Sequence, residues 1–188
     1  ERFSLSDVEI GVNYALILNT NAGLWGYSIG DTVKFVSKDP YRIIVTGRIK
    51  HFISAFGEHV IAEEVESTIQ EVIQSEGLSV TEFHVAPQVT PEEGLPHHEW
   101  FIEFKSTPAD IRRTAEALDK TLQDKNSYYR DLLEGKVLSQ LRISTVEPGG
   151  FVKFMKSRGK LGGQNKIPRL ANERTYANEL ANFVVDFD

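Results

Sequence analysis

The sequence has no cysteine among its 188 residues and a single methionine. The absence of cysteine excludes disulfides, thiolate metal sites and cysteine nucleophiles. No apolar run approaches the ~20 residues that a membrane span requires, and the opening ERFSLSD lacks the apolar core of a signal peptide. The sequence therefore favours the cytoplasm, with no membrane partner. Because it begins at Glu1 and not at methionine, we expect it to be part of a longer chain.

Common catalytic signatures are also missing. The sequence contains no P-loop, no G-x-G-x-x-G fingerprint and no G-x-S-x-G nucleophile elbow. A chain of this length with 40% apolar and 26% charged residues forms one domain, or one domain and part of another.

The charge is unevenly placed. The formal net charge is −6, yet residues 153–174 contain seven basic residues and one acid, Glu173. An acidic protein with one basic strip is unlike a general nucleic-acid binder, which is basic over a whole domain. The pattern favours a local anion site, although a solvated charge run would look the same.

The basic strip includes a glycine-rich stretch at residues 158–170, which reads RGKLGGQNKIPRL. Glycines let the backbone approach a ligand, and the four cations Arg158, Lys160, Lys166 and Arg169 offer donors to an anion. We expect this loop to deliver a lysine to a phosphate or carboxylate.

Residues 1–50 read as short strands and turns. Apolar or alternating runs at residues 14–18, 32–36 and 42–46 predict three strands, with a turn at Asp39-Pro40-Tyr41. Gly30 predicts a tight turn that places Asp31 at a strand start, where a carboxylate can accept hydrogen bonds from a ribose diol. Three or four strands without a covering helix make a poor core, so this segment is predicted to belong to a larger body.

Beyond about residue 50 the pattern becomes α+β. Helical spacing of Ile61, Val65, Ile69, Val72 and Ile73 is followed by strands marked by Phe83 and Val85, by Trp100 to Phe104, and by Leu141 to Thr145. A helix is predicted to start at residues 107–110, with Asp110 in its first turn. Shorter helices are predicted from Phe151, Phe154 and Met155 and from about Asn172.

His97 and His98 precede Glu99 and raise the question of a metal site. Adjacent side chains point apart on a strand, and no second cluster stands at ligand spacing. We therefore predict no metal site and place both histidines in an exposed loop.

Four stretches together resemble one family, the acyl-acid amido synthetases of the auxin-responsive GH3 family, within the acyl-adenylate-forming enzymes. Residues 20–31, TNAGLWGYSIGD, are similar to the plant pattern T-x-A-G-L-Y-R-Y-x-x-G-D, and residues 147–151, EPGGF, to P-G-x-F. Residues 157–169 are similar to S-x-G-x-x-x-x-Q-Y-K-x-P-R, with Asn165 in place of tyrosine. Residues 47–66 resemble the general adenylating pattern G-R-x7-G-E-x6-E, with one additional residue in each interval. The sequence also departs from the plant pattern at Gly26, where plant members have arginine.

The resemblance implies a fold and a division of labour. Residues 1–50 would be the β-rich end of a large ATP- and acyl-binding domain, and residues 51–188 a mobile C-terminal α+β domain. ATP with Mg²⁺ would be required, neither held mainly by this segment, and an acyl acid would be joined to an amino acid. The missing N-terminal domain of the same chain would be the partner.

The resemblance also assigns roles to residues. Lys166 would be the catalytic lysine, Asp31, Arg48 and Tyr27 would bind the nucleotide, and Lys50 would be a charged hinge residue. Two alternatives remain open: an acyl-CoA ligase, favoured by Gly57-Glu58, and a non-catalytic anion-binding module.

Overall fold

The computed structural model describes residues 2–48, 52–159 and 167–185. The chain divides into two units, residues 1–50 and residues 51–188. The fold class is α+β, as the sequence predicts, with strands in both units and the helices in the second.

The first unit is an antiparallel sheet of three strands in the order β1-β2-β3. The strands are β1 (Asn13–Leu18), β2 (Tyr27–Lys38) and β3 (Tyr41–Arg48). Lys38 pairs with Tyr41, so the predicted Asp39-Pro40 turn joins two strands directly. The core of this unit is small and consists of Val8, Val33 and Phe35, with Tyr14 and Leu16 packed against it.

The second unit starts with a short hairpin, β4 (Phe52–Ile53) and β5 (Val60–Ile61). Its main sheet has the order β6-β7-β8. The strands are β6 (Val80–Gln88), β7 (His97–Phe104) and β8 (Arg142–Thr145). β6 and β7 are antiparallel, whereas β7 and β8 are parallel. All three predicted strands of this region are present.

Three helices cover one face of the β6-β7-β8 sheet. They are α1 (Ala62–Glu76), α2 (Ile111–Lys125) and α3 (Ser127–Glu134). Val65 and Ile69 of α1 and Leu118 and Leu122 of α2 are buried against Trp100 and other residues of the same cluster, because the helical spacing gathers them on one side.

The opposite face is covered as well. A second cluster joins Phe101 of β7 to α4 (Gly150–Ser157) and α5 (Thr175–Leu180), which continues as a 3₁₀ turn at Ala181–Phe183. Successive residues of a strand point to opposite faces, so a sheet buried on both sides hides nearly every residue of its central strands.

This double burial corrects one prediction. His97 and His98 lie in β7 and are 4% and 0% exposed, so their assignment to an exposed loop is wrong.

Asp110 is the N-cap of α2, where its carboxylate accepts from the Arg113 N–H at 3.0 Å, and the helix therefore begins after it. Neither α3 nor the β4-β5 hairpin was predicted. No described helix is long and apolar enough to span a membrane.

Candidate nucleotide and lysine-loop sites

A bulge in β2 surrounds Asp31. Ala15 pairs with Thr32 and Ile17 pairs with Ser28, so residues 29–31 of β2 oppose the single residue between Ala15 and Ile17. Gly30 has φ 83°, in the left-handed region that favours glycine. The predicted turn is therefore a bulge within a strand, and bulges re-aim side chains beside functional sites.

Asp31 lies directly opposite Arg48 in the pairing of β2 with β3. Asp31 is half-buried, while the side chain of Arg48 lies outside the described part of the chain. Two residues before Arg48, the buried Thr46 hydroxyl donates to Asn13 Oδ1 at 2.8 Å and lies 3.1 Å from Thr32 Oγ1. The three strands are thus tied together beside the Asp31–Arg48 pair.

The loop before β2 is held by side-chain and backbone hydrogen bonds within the loop. Asn19 Oδ1 accepts from the Gly26 N–H at 2.7 Å, and the Thr20 N–H donates to the Leu24 carbonyl at 2.8 Å. Gly26 has φ 61°, a conformation that the arginine of plant members would adopt only with strain. This loop ends at Tyr27, which is 49% exposed.

Sequence reasoning missed Trp25 in the same loop. Its side chain is 82% exposed, although its backbone lies between Leu24 and Gly26, both of which are held by hydrogen bonds. An exposed aromatic ring on a fixed loop offers a face for stacking on a planar group. A tryptophan beside a glycine in a polar loop was the available signal.

In the second unit, Lys160 and Lys166 lie outside the described residues, which resume at Ile167. Ile167 is buried in the second cluster and Leu170 in the first. On either side of Leu170, the Arg169 carbonyl accepts from the Val85 N–H at 2.9 Å, and the Ala171 N–H donates to the Val85 carbonyl at 3.0 Å. This segment therefore extends the sheet at the β6 edge.

The two arginines of the basic stretch have structural partners, contrary to the expectation that both would be anion donors. Arg158 Nη1 lies 2.9 Å from Glu179 Oε1, and the guanidinium stacks 4.7 Å above the Tyr176 ring. Arg169 stacks on Phe83 and contacts two acids, Glu66 at 3.3 Å and Glu82 at 3.4 Å. Both guanidinium groups therefore have acidic partners within the described residues.

The EPGGF stretch is a helix cap. The buried Glu103 carboxylate accepts from the Gly149 N–H at 2.9 Å and from the Phe151 N–H at 3.2 Å. Gly149 has φ 75°, and a Cβ on Gly150 would stand 2.4 Å from Val146 Cγ1. The motif therefore sets the start of α4, the helix that leads into the basic stretch.

Glu58 is also structural. Its side chain is fully buried, and its carboxylate accepts from the Phe56 N–H at 2.8 Å and from His98 Nε2 at 3.0 Å. Burial alone would raise the pKa of Glu58, but the hydrogen bonds from His98 and the backbone outweigh it and the pKa lies below its ordinary value.

The buried network continues beyond Glu58. The His98 ring stacks 4.9 Å from Tyr129, whose hydroxyl donates to Asp119 Oδ1 at 2.6 Å. Burial, together with the Asp119 carboxylate, raises the pKa of Tyr129 well above its ordinary value. In the described ranges 2–48, 52–159 and 167–185, no group of three or more acidic or histidine side chains could hold a metal ion.

Comparison with known proteins decides the family. Residues 61–175 match the GH3 family C-terminal domain, and residues 1–48 match the GH3 family central domain. The chain belongs to the GH3 family. This confirms the resemblance drawn from the four sequence stretches.

Relatives of this GH3 chain include two from Arabidopsis thaliana. Indole-3-acetic acid-amido synthetase GH3.3 is 26% identical over 181 residues, covering 90% of this chain and 30% of the relative. Indole-3-acetic acid-amido synthetase GH3.15 is 24% identical over 198 residues, covering 97% of this chain and 33% of the relative. The chain thus spans about a third of the length of these curated relatives.

A solved structure shows the same fold. The GH3.15 acyl acid amido synthetase matches with a TM-score of 0.75 at 21% identity, over 98% of this GH3 chain and 36% of the other. Within the matched family domains, Tyr27, Asp31 and Arg48 fall in the central domain and Lys166 in the C-terminal domain.

Proposed function

We propose that this GH3 chain is the C-terminal part of an ATP-dependent acyl-acid amido synthetase. The carboxylate of an acyl acid attacks the α-phosphorus of ATP, and pyrophosphate leaves. The amine of an amino acid then attacks the acyl carbon, loses a proton and displaces AMP, which leaves an amide. Support comes from relatives named as amido synthetases that cover 90% or more of this chain.

The observation that carries the proposal is the register of β2 and β3, which places Asp31 directly opposite Arg48 at the β2 bulge. A carboxylate accepts two hydrogen bonds from a ribose diol, and arginine gives a permanently charged fork to phosphate. Tyr27, exposed four residues earlier in the same strand, adds an aromatic face and a hydroxyl. These three residues form the proposed nucleotide contact.

Lys166 supplies the mobile charge in this proposal. A lysine that reaches the acyl carboxylate and the α-phosphate stabilises the negative charge that develops as pyrophosphate leaves. Lys50, outside the described residues, serves as the hinge that lets the lysine withdraw before the amine enters. Mg²⁺ accompanies ATP and is held mainly by residues beyond this segment.

The first unit is proposed to continue into a larger domain. Its sheet exposes large apolar side chains, with Val45 67% exposed and Ile17, Ile29, Ile43 and Ile44 all at least 40% exposed. Because Ile43, Ile44 and Val45 are consecutive in β3, this exposed apolar surface lies on both faces of the sheet. Apolar surface of this kind marks a region that another element covers. We expect the remaining part of the ATP- and acyl-binding domain to cover it, and the 188-residue chain alone to be inactive.

Two contacts in the structure bear on the alternatives. Glu58, which favoured a coenzyme A ligase, is buried against His98 and cannot meet a ligand in this conformation. The anion-binding module was inferred from the basic strip at residues 153–174, in which Arg158 and Arg169 are paired with acids.

Pyrophosphate exchange by the intact enzyme tests the proposal. Replacing Lys166 with alanine is expected to lower the exchange rate by roughly 10²- to 10³-fold, the usual effect of losing one group that stabilises transition-state charge. Lys156→Ala is the matched control, because Lys156 is an exposed lysine at the end of α4. Equal exchange rates for the two variants would contradict the catalytic role.

The acceptor is identified separately. The intact enzyme is incubated with ATP, a panel of acyl acids and either amino acids or coenzyme A, and the products are identified by mass. An amide is expected; a thioester product would establish the coenzyme A ligase instead.

A further inference from the structure

His84 lies in the middle of β6 and is completely buried. Its ring centroid lies 6.3 Å from that of Phe101 and 5.9 Å from that of Tyr176. Strand alternation places His84 on the same face as Glu82, which suggests a solvated position. In the structure the second cluster covers this face, so the imidazole is enclosed.

The polar atoms of the ring have unequal surroundings. Nδ1 lies 2.6 Å from the Pro168 carbonyl oxygen, and because a carbonyl can only accept, the proton is on Nδ1. Nε2 is buried and has no hydrogen-bond partner among the described residues. The ring is therefore a neutral donor with a single bond, and that bond goes to the chain leaving the basic stretch.

Pro168 is the second residue after Lys166. Proline has no N–H and cannot donate to the sheet ladder, and the ladder bonds to Val85 are made by Arg169 and Ala171. Later anchors lie farther along the chain, where Asn172 Oδ1 accepts from the Ser54 N–H at 2.8 Å. Among the described residues, Ile167 is held by packing in the second cluster, and the His84 bond is the side-chain hydrogen bond nearest in sequence to Lys166.

We propose that His84 is a positioning residue for adenylation: its Nδ1–H fixes the Pro168 carbonyl and thereby the point from which Lys166 reaches its anion. The inference rests on the proposed function. A residue that acts through the placement of another is expected to change the rate of the chemical step more than substrate affinity, since a misplacement of about 1 Å can cost 10²-fold in rate.

Two substitutions separate the hydrogen bond from the packing. His84→Asn keeps an N–H donor close to the position of Nδ1, whereas His84→Phe keeps a ring and removes the donor. His97→Phe is the matched control: His97 is a buried histidine of the neighbouring strand whose Nδ1 lies 3.2 Å from the Leu95 carbonyl, away from Pro168.

The local effect is measured in the 188-residue chain by hydrogen exchange of the Ala171 amide, which donates to Val85. His84→Phe is expected to speed this exchange roughly tenfold or more, while His84→Asn and His97→Phe leave it within about twofold. Unchanged exchange in His84→Phe would overturn the anchoring role.

The catalytic effect is measured in the intact enzyme. His84→Phe is expected to lower kcat for pyrophosphate exchange about 10- to 100-fold with KM for ATP within about twofold, and His84→Asn to restore most of the rate. Equal kcat values for His84→Phe and His97→Phe would overturn the inference while the proposed function stands. Absence of exchange in the unsubstituted enzyme would overturn the proposed function itself.

Discussion

At the scale of single residues, the protonation of His84, which donates to the Pro168 carbonyl, makes the stability of the chain depend on pH. Burial lowers its pKa from 6.5 to about 4, and the nearby Arg174 adds to this effect. The Pro168 carbonyl and Glu99 act in the opposite direction but do not compensate for the burial. His84 is therefore neutral in the folded state throughout the physiological range.

This shift predicts how stability depends on pH. Below pH 6.5 the unfolded chain binds a proton at His84, but the folded chain does not until about pH 4. The contribution of His84 to the free energy of unfolding is therefore complete above pH 6.5 and falls by about 1.4 kcal/mol per pH unit between 6.5 and 4. Urea unfolding of the 188-residue chain at pH 7 and pH 5 measures this fall in the free energy of unfolding.

The control for this prediction is His84→Asn, which cannot take up the proton. Other groups, His97 among them, have lowered pKa values too, so the test is the difference between the two proteins. Between pH 7 and pH 5, the free energy of unfolding of the variant is expected to fall by about 2 kcal/mol less than that of the unsubstituted chain. Equal losses would show that His84 is not held neutral.

At the scale of elements, local patterns predicted the strands and the longer helices, because burial of one face leaves a period in the sequence. His84, in contrast, alternates with the apolar residues Phe83 and Val85 and shares its side of the strand with the charged Glu82. The segment that encloses it includes Pro168, which is 84 residues away. The sequence of β6 alone therefore could not predict that His84 is buried.

The start of α4 gives an element-scale prediction. A Cβ on Gly150 would lie 2.4 Å from Val146 Cγ1, and Val146 is 1% exposed, so the overlap cannot be relieved cheaply. Although alanine is a better helix former by about 1 kcal/mol, Gly150→Ala is expected to destabilise the chain by about 1–3 kcal/mol. Urea unfolding measures the change.

Val152→Ala is the matched control on the same helix. Its side chain is 61% exposed, so the substitution is expected to change stability by no more than about 0.5 kcal/mol. A Gly150→Ala variant as stable as the unsubstituted chain would mean that the EPGGF cap has room for a side chain.

At the scale of the whole molecule, the two units differ in how much core each contains. Residues 51–188 hold two large clusters, one on each face of the β6-β7-β8 sheet. In the described residues 2–48, the cluster of the first unit buries three apolar side chains, while Trp25 and Val45 are largely exposed. The sequence predicted this weakness of the first segment from the absence of a covering helix.

This contrast predicts that residues 52–188 fold alone and residues 1–50 do not. A three-stranded sheet with one small cluster does not offset the backbone entropy of about 50 residues, whereas the second unit has a sheet covered by helices on one face and by α4, α5 and the returning chain on the other. Circular dichroism of the two separate segments during urea titration measures this. The second segment is expected to show one cooperative transition, and the first none.

The 188-residue chain is the reference in the same titration. If the isolated 52–188 segment unfolded without cooperativity while the whole chain kept a single transition, the second unit would depend on the first for its folding. A domain that carries Lys166 and rotates about a hinge must keep its structure as it moves. Independent folding of residues 52–188 is therefore what the proposed hinge at Lys50 requires.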